Sequence, residues 1–257
     1  MKLEARDFGE IFRVTTTDEP VEFLVVCEHA SNRIPAALGN LGLSAEAAQS
    51  HVAWDPGALG VARALIRDLP AVLVEGAISR LVYDCNRPPE AASAVPERSE
   101  IYRIFGNTGI SPTDRNRRVR EVYEPFSAAV AEQIGLHRNT LKLMVTVHSF
   151  TPVYDGRSRA VEIGVLHGLD DRFAKRMMEN QPGDRTYDIR LNEPYDASDG
   201  VAHTLDVQGA RNNLLNVMIE LRNDLIETPV QQEQMGAYLS RWIGATLLAS
   251  PATDGAV

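Results

Sequence analysis

Short apolar runs alternate with helix-period segments along the chain. Val21–Cys27 is β-branched and apolar without clear alternation, the pattern of a strand buried on both faces. Ala71–Glu75, Leu81–Tyr83, Leu143–Val147, Val161–Leu166 and Asn216–Ile219 read as further strands. Pro56–Leu69 sets Leu59, Ala62, Leu65, Ile66 and Leu69 on one helical face. Asp114–Leu136 does the same with Val119, Val122, Tyr123, Phe126, Val130 and Ile134, and Pro125 within it predicts a kink or two abutting helices. Asp170–Asn180 reads as a short helix. The last helix starts at the capping-box pattern Thr228-Pro229-Val230-Gln231 and turns Met235, Tyr238, Leu239, Trp242 and Ile243 inward.

Strands alternating with helices predict an α/β fold: a mixed, mostly parallel sheet with helices on both faces. The expectation is a single catalytic domain over residues 1–257. Two long polar stretches, Pro88–Ser111 and Gln181–Gly200, break the pattern. Loops of this length in a compact domain are often functional, and these are candidates to cover a site at the strand ends. The tail, Ser250–Val257, is expected to fray.

Composition narrows the partners. With 257 residues, 44% of them hydrophobic, the chain can bury a sizeable core. A net charge of −9 argues against nucleic acid and against a polybasic membrane surface. No apolar run approaches the roughly 20 residues that span a bilayer. The charged opening Met1–Glu10 lacks the apolar core of a signal peptide. Cys27 and Cys85 alone make no disulfide framework. A soluble cytoplasmic protein is the expectation.

In open α/β sheets, sites lie beyond the carboxyl ends of strands. Glu28 and His29 follow the first buried run, His148 follows Leu143–Val147, and Glu220 follows Asn216–Ile219. Asp84, Asn86 and Arg87 follow Leu81–Tyr83. A catalytic zinc site takes three His or carboxylate ligands and keeps one position open for water. His29 and His148 can supply imidazoles, and Glu220 a general base on that water. Asp55 is the preferred third ligand, because it opens the next helix and can reach back. Glu28 is the reserve, since neighbours in an extended strand point to opposite faces unless the strand breaks between them. His51 is a further possibility.

Each candidate has a plainer role. A strand-end histidine is often only hydrogen-bonded. Asp55 before Pro56 suits an N-cap, the more usual role on local pattern. Glu220 and Arg222 share a strand face and can pair. His137, His167 and His203 are weaker candidates, and His137 sits at a helix end where positive charge is favourable anyway. Arg33, Arg80, Arg87 and Arg222 lie close to the strand ends, and arginine grips carboxylates through paired hydrogen bonds. An acidic domain needs such a local cluster to bind an anionic substrate. At least one of these arginines is expected to pair internally with Asp84, Glu28 or Asp224.

Four segments resemble motifs of the N-formylglutamate amidohydrolases. They are Cys27-Glu-His-Ala-Ser-Asn-Arg-Ile-Pro35, Ser79-Arg-Leu-Val-Tyr-Asp-Cys-Asn-Arg87, Val147-His-Ser-Phe-Thr-Pro152 and Asn216-Val-Met-Ile-Glu-Leu-Arg-Asn-Asp224. His203-Thr-Leu-Asp206 is similar to a further one. The resemblance implies a phosphorylase/hydrolase-like, zinc-peptidase-like architecture, related in fold to zinc carboxypeptidases and N-acetylmuramoyl-alanine amidases. It implies one zinc ion per chain, His29 and His148 as ligands and Glu220 as the catalytic carboxylate. The carboxypeptidase spacing His-x-x-Glu is absent, because position 32 is Asn. Trp54-Asp-Pro-Gly57 resembles an amidase segment in which the metal-binding carboxylate lies further along the chain, so the resemblance does not itself supply the third ligand; Asp55 stays the preferred one, with Glu28 in reserve.

The implied reaction is hydrolysis of N-formylglutamate, a product of histidine degradation, or of a similar N-acyl amino acid. Arg80 and Arg87, with Asn86 and with Arg33 or Arg222, would hold this small anionic, amino-acid-derived substrate. The competing expectations are a zinc-dependent carboxypeptidase or acylase acting on another small substrate, and a non-catalytic binding protein on the same fold.

Overall fold

A computed structural model describes residues 7–17, 20–183, 186–195 and 199–249. In chain order the elements are β1 (Phe12–Thr16), β2 (Phe23–Cys27), α1 (Ala45–Gln49), α2 (Ala58–Arg67), β3 (Ala71–Gly76), β4 (Arg98–Ser99) and β5 (Tyr102–Arg103). Then come α3 (Pro112–Arg118), α4 (Glu124–Leu136), β6 (Leu143–Phe150), β7 (Val153–Tyr154), β8 (Arg157–Ser158) and β9 (Ile163–Leu166). α5 (Arg172–Glu179), β10 (Ile189–Leu191), β11 (Leu215–Arg222) and α6 (Pro229–Leu248) complete them.

Seven strands form one sheet in the order β1-β3-β2-β6-β11-β9-β10. The central four, β3, β2, β6 and β11, run parallel, as expected of apolar runs buried on both faces. β1 is antiparallel to β3, β9 is antiparallel to β11, and β10 is parallel to β9. Alternation along each strand divides the core. Phe23, Val25 and Cys27 pack with Leu65 of α2, Met177 of α5 and Leu239 and Trp242 of α6. Leu24 and Val26 point the other way, to a cluster containing Phe126 and Val130 of α4. Helices therefore cover both faces of a mixed, mostly parallel sheet, and the predicted fold class holds.

The differences have local causes. Leu81–Tyr83 is not a strand. Ser79 Oγ accepts the Leu81 N–H at 3.2 Å and Ser79 O accepts that of Val82 at 2.9 Å, so the segment turns while its side chains stay buried. β6 and β11 run on to Phe150 and Arg222, which puts His148 and Glu220 inside their last turns of pleat rather than after them. The edge strand β1 is largely exposed, so no apolar run marks it. Pro125 does not split the segment: α3, a π-helical turn at Val119–Tyr123 and α4 follow one another without a break, and the π turn just before Pro125 is the irregularity that accompanies a residue without an N–H. The capping box at Thr228 and Gln231 forms as expected. The tail Ser250–Val257 lies outside the described residues. Among those residues no helix is long and apolar enough to cross a membrane.

Candidate active site

Three carboxyl-end segments of the parallel strands converge. β2 ends at Cys27, so the strand does break before Glu28 and His29. The backbone N–H of Asp55 donates to the carbonyl of His29 at 2.9 Å and pins the start of the next segment against this turn. Asp55 does not cap α2. The N-cap position is Gly57, at φ 82°, a left-handed conformation that glycine adopts without penalty. The chain bends there, and the Asp55 carboxylate is free to point inward.

That carboxylate joins the two histidines. Asp55 Oδ2 lies 3.2 Å from His29 Nδ1 and 2.9 Å from His148 Nδ1, and accepts the Ser149 N–H at 3.3 Å. The imidazole rings approach edge to face, 4.9 Å between centroids. Each ring has a second carboxylate behind it. His29 Nε2 lies 2.7 Å from Asp84 Oδ1. His148 Nε2 lies 3.2 Å from Glu28 Oε2, an ion-pair distance without hydrogen-bond alignment. Arg80 bridges the carboxylates, with Nη1 3.2 Å from Asp55 Oδ1 and Nη2 2.8 Å from Asp84 Oδ2. Glu220 on β11 sits directly across from His148 on β6 in the parallel register.

Burial sets the electrostatics. It disfavours ionisation of Asp55, Asp84 and Glu28, yet the neighbouring histidines, with Arg80 beside the two aspartates, outweigh it and hold all three below the usual carboxylate range. Burial also disfavours the imidazolium forms. For His148 Glu28 and Asp55 outweigh it, and for His29 Asp84 and Asp55 outweigh both burial and Arg80, so both rings rise above ordinary imidazole. Glu220 goes the other way: burial, helped by the charge of Asp55, pushes its carboxyl up to about 7.

These residues fit a divalent metal. His29, Asp55 and His148 are buried and offer ligand atoms all within 4.8 Å of one another. The separations of Asp55 Oδ2 from the two Nδ1 atoms, 3.2 and 2.9 Å, are close to the edge of a tetrahedron with bonds of about 2.0–2.1 Å. Carboxylates behind metal-binding histidines fix the ring and its tautomer. Both Glu28 oxygens and Glu220 Oε2 are buried without a hydrogen-bond partner among the described residues. With neutral imidazoles, the three ionised carboxylates exceed the single guanidinium, and a dication relieves that excess negative charge.

Around this group opens a cleft of about 430 Å³, the size of a small-molecule site. His29, Asp55, His148, Glu220, Arg80, Asn86 and Arg87 all line it. Glu28, the reserve ligand, stands behind His148 instead. Arg33 and Arg222 are placed elsewhere. The Arg33 guanidinium is taken up by the carbonyls of Ala77, Phe8 and Glu10, and Arg222 by Asp224 and Glu162 rather than by Glu220. Asn86 is largely spent on the fold, donating to Val201 O and accepting from the Thr204 N–H. His203 packs behind the site, 2.8 Å from the Tyr123 hydroxyl.

His51, a further ligand possibility in the sequence, lines the cleft but pairs with Glu100 at 2.9 Å rather than joining Asp55 and the two histidines; strand-end logic missed the cleft residues Arg159 and Tyr195. Arg159 follows the β7–β8 hairpin, which no apolar pattern announces. Tyr195 lies in the stretch Gln181–Gly200, which its length had marked as a candidate cover.

A family model described as N-formylglutamate amidohydrolase matches residues 21–227. Among solved structures, the gene product Atu2144 from Agrobacterium tumefaciens is 46% identical, with a TM-score of 0.91 over 95% of this chain and 97% of that one. An N-formylglutamate amidohydrolase from Ralstonia eutropha JMP134 is 16% identical, with a TM-score of 0.58 over 93% of this chain and 96% of that one, a likeness of fold. No curated protein matches the chain.

Proposed function

The chain belongs to the N-formylglutamate amidohydrolase family, and we propose that it is a single-domain zinc enzyme hydrolysing N-formyl-L-glutamate or a similar N-acyl amino acid. The products are formate, or the corresponding carboxylate, and the free amino acid. The observation that carries this reading is the meeting of His29, Asp55 and His148 in one cleft with Glu220, whose buried Oε2 has no hydrogen-bond partner among the described residues. The free thiols of Cys27 and Cys85 suit work in the reducing cytoplasm.

His29 Nδ1, His148 Nδ1 and Asp55 Oδ2 would hold the zinc ion. When bound, zinc supplies Lewis-acid polarisation of the amide oxygen and lowers the pKa of water. Asp84 and Glu28 orient the two imidazoles from behind. Glu220 is the proton carrier. Its carboxylate takes a proton from the attacking water and, as the acid, returns it to the leaving amine nitrogen. Burial raises this carboxyl above the ordinary carboxylate range, and a carboxyl raised toward the working pH is suited to both taking and returning a proton. Arg80 steadies Asp55 and Asp84, so its charge is already shared between them. Arg87 spends Nη1 on the carbonyls of Asn86 and Gly200 and, lining the cleft, would offer the rest of its guanidinium to a substrate carboxylate.

Side-by-side turnover tests the reading. The zinc-loaded protein is expected to release formate from N-formylglutamate faster than it deacylates N-acetyl amino acids. No turnover of any N-acyl amino acid by a protein carrying zinc would reject it.

A further inference from the structure

A dicarboxylic substrate needs two cationic anchors. Of the four arginines nearest the strand ends, Arg33 and Arg222 lie away from the cleft and Arg80 is shared between Asp55 and Asp84. Arg87 supplies one anchor. Among the described residues the cleft holds one further guanidinium, Arg159, just after the β7–β8 hairpin. Its Cζ lies 4.6 Å from the Tyr154 ring centroid, 4.9 Å from that of Tyr195 and 5.6 Å from that of Phe150. Three rings fix the guanidinium plane by cation–π contact without neutralising it. Among the described residues Arg159 has no carboxylate partner, unlike Arg80 and Arg222.

Arg159 Nη1 donates to the Tyr195 hydroxyl at 3.0 Å. The hydroxyl therefore accepts from Arg159 and keeps its own hydrogen to donate. The pair presents N–H and O–H donors together on one side of the cleft, with Glu220 also in the lining. A caged, unpaired cation with a hydroxyl donor beside it suits a carboxylate through charge-assisted hydrogen bonds. Arg87 lies three residues from Asp84, the carboxylate behind His29, and so stands on the His29 side of the cleft. Arg159 is carried by a separate hairpin. The α-carboxylate sits one carbon from the scissile nitrogen, whereas a side-chain carboxylate reaches further.

We infer that Arg159 and the Tyr195 hydroxyl form a second carboxylate subsite, which selects substrates with an acidic side chain. The inference rests on the proposed N-acyl amino acid hydrolysis and names the residues that choose among such substrates.

The test compares kcat and KM for N-formyl-L-glutamate and its neutral isostere N-formyl-L-glutamine in the zinc-loaded protein and in Arg159→Met and Arg159→Lys. The methionine keeps the apolar stem against the rings, and the lysine keeps the charge. Arg159→Met is expected to lose about 10- to 100-fold more kcat/KM on the acidic substrate than on the amide, carried by KM, as for a lost hydrogen bond to a charged group. Arg159→Lys is expected to retain most of the acidic preference, with zinc content equal in all three proteins. An acidic preference kept in Arg159→Met, or an equal loss on both substrates, would overturn the subsite. A wild-type protein inert on both substrates would instead reject the underlying reaction, and the subsite with it.

Discussion

Glu220 and His148 are register partners on adjacent parallel strands, β11 and β6, so their side chains leave the sheet on the same face. Residues 72 positions apart in sequence become neighbours through one strand pairing. Two consequences follow from it: the proposed proton carrier is fixed beside an imidazole of the candidate metal site, and it rests on rigid strands rather than a loop.

Glu220→Gln keeps the size and removes the proposed base. Turnover of N-formylglutamate is expected to fall about 10²- to 10⁴-fold with zinc content unchanged, the usual contribution of a general base. Steady-state kinetics beside elemental analysis measure both. Unaltered turnover would exclude Glu220 from proton transfer.

Glu28 and Asp84 stand behind His148 and His29. Glu28→Gln and Asp84→Asn are each expected to weaken zinc binding about 10- to 100-fold in a chelator competition, the usual cost of losing an orienting carboxylate. Wild-type affinity in both variants would mean that the carboxylates serve only the fold. Asp84→Asn also leaves Arg80 with one carboxylate instead of two, so its thermal midpoint should be recorded alongside.

Zinc affinity should depend on pH with a definite sign. Both histidines are raised above ordinary imidazole by their carboxylate neighbours, so in the metal-free protein they hold protons to higher pH than free imidazole does. Zinc must displace those protons. Affinity is therefore expected to climb as pH rises through and somewhat above the usual imidazole range, by about tenfold or more per unit, and to flatten beyond it. Titrations between about pH 6 and pH 9 read the slope, and a flat profile would argue against imidazole ligands.

Gly57 is the hinge that frees Asp55 from capping. A Cβ there would lie 2.4 Å from the Ile226 carbonyl oxygen, at φ 82°. Gly57→Ala is expected to cost on the order of 2 kcal/mol or more in denaturant unfolding and to weaken zinc binding by shifting Asp55. An unchanged midpoint with full zinc affinity would show that the bend tolerates a side chain.

Much of this was legible in the sequence. Buried β-branched runs mark β2, β3, β6, β9 and β11, because parallel strands covered on both faces need no polar alternation. His29, His148 and Glu220 were visible because polar groups directly after such runs stand out. What sequence could not resolve is contact across distant segments. The pairing of Asp84 with His29 joins positions 55 residues apart, and nothing local separates it from a surface aspartate. Arg33 and Arg222 looked like substrate anchors by position alone, yet backbone carbonyls hold one and Glu162 with Asp224 the other. Arg159 was overlooked because a two-residue strand in an exposed hairpin leaves no periodic trace.

An anomalous-difference map collected at the zinc absorption edge, on crystals of the zinc-loaded protein, locates the ion itself. One peak is expected per chain, bonded to His29 Nδ1, His148 Nδ1 and Asp55 Oδ2, with Glu220 beside the remaining position. A peak bound by other residues, or no peak in crystals of a protein that still hydrolyses its substrate, would contradict the proposed centre.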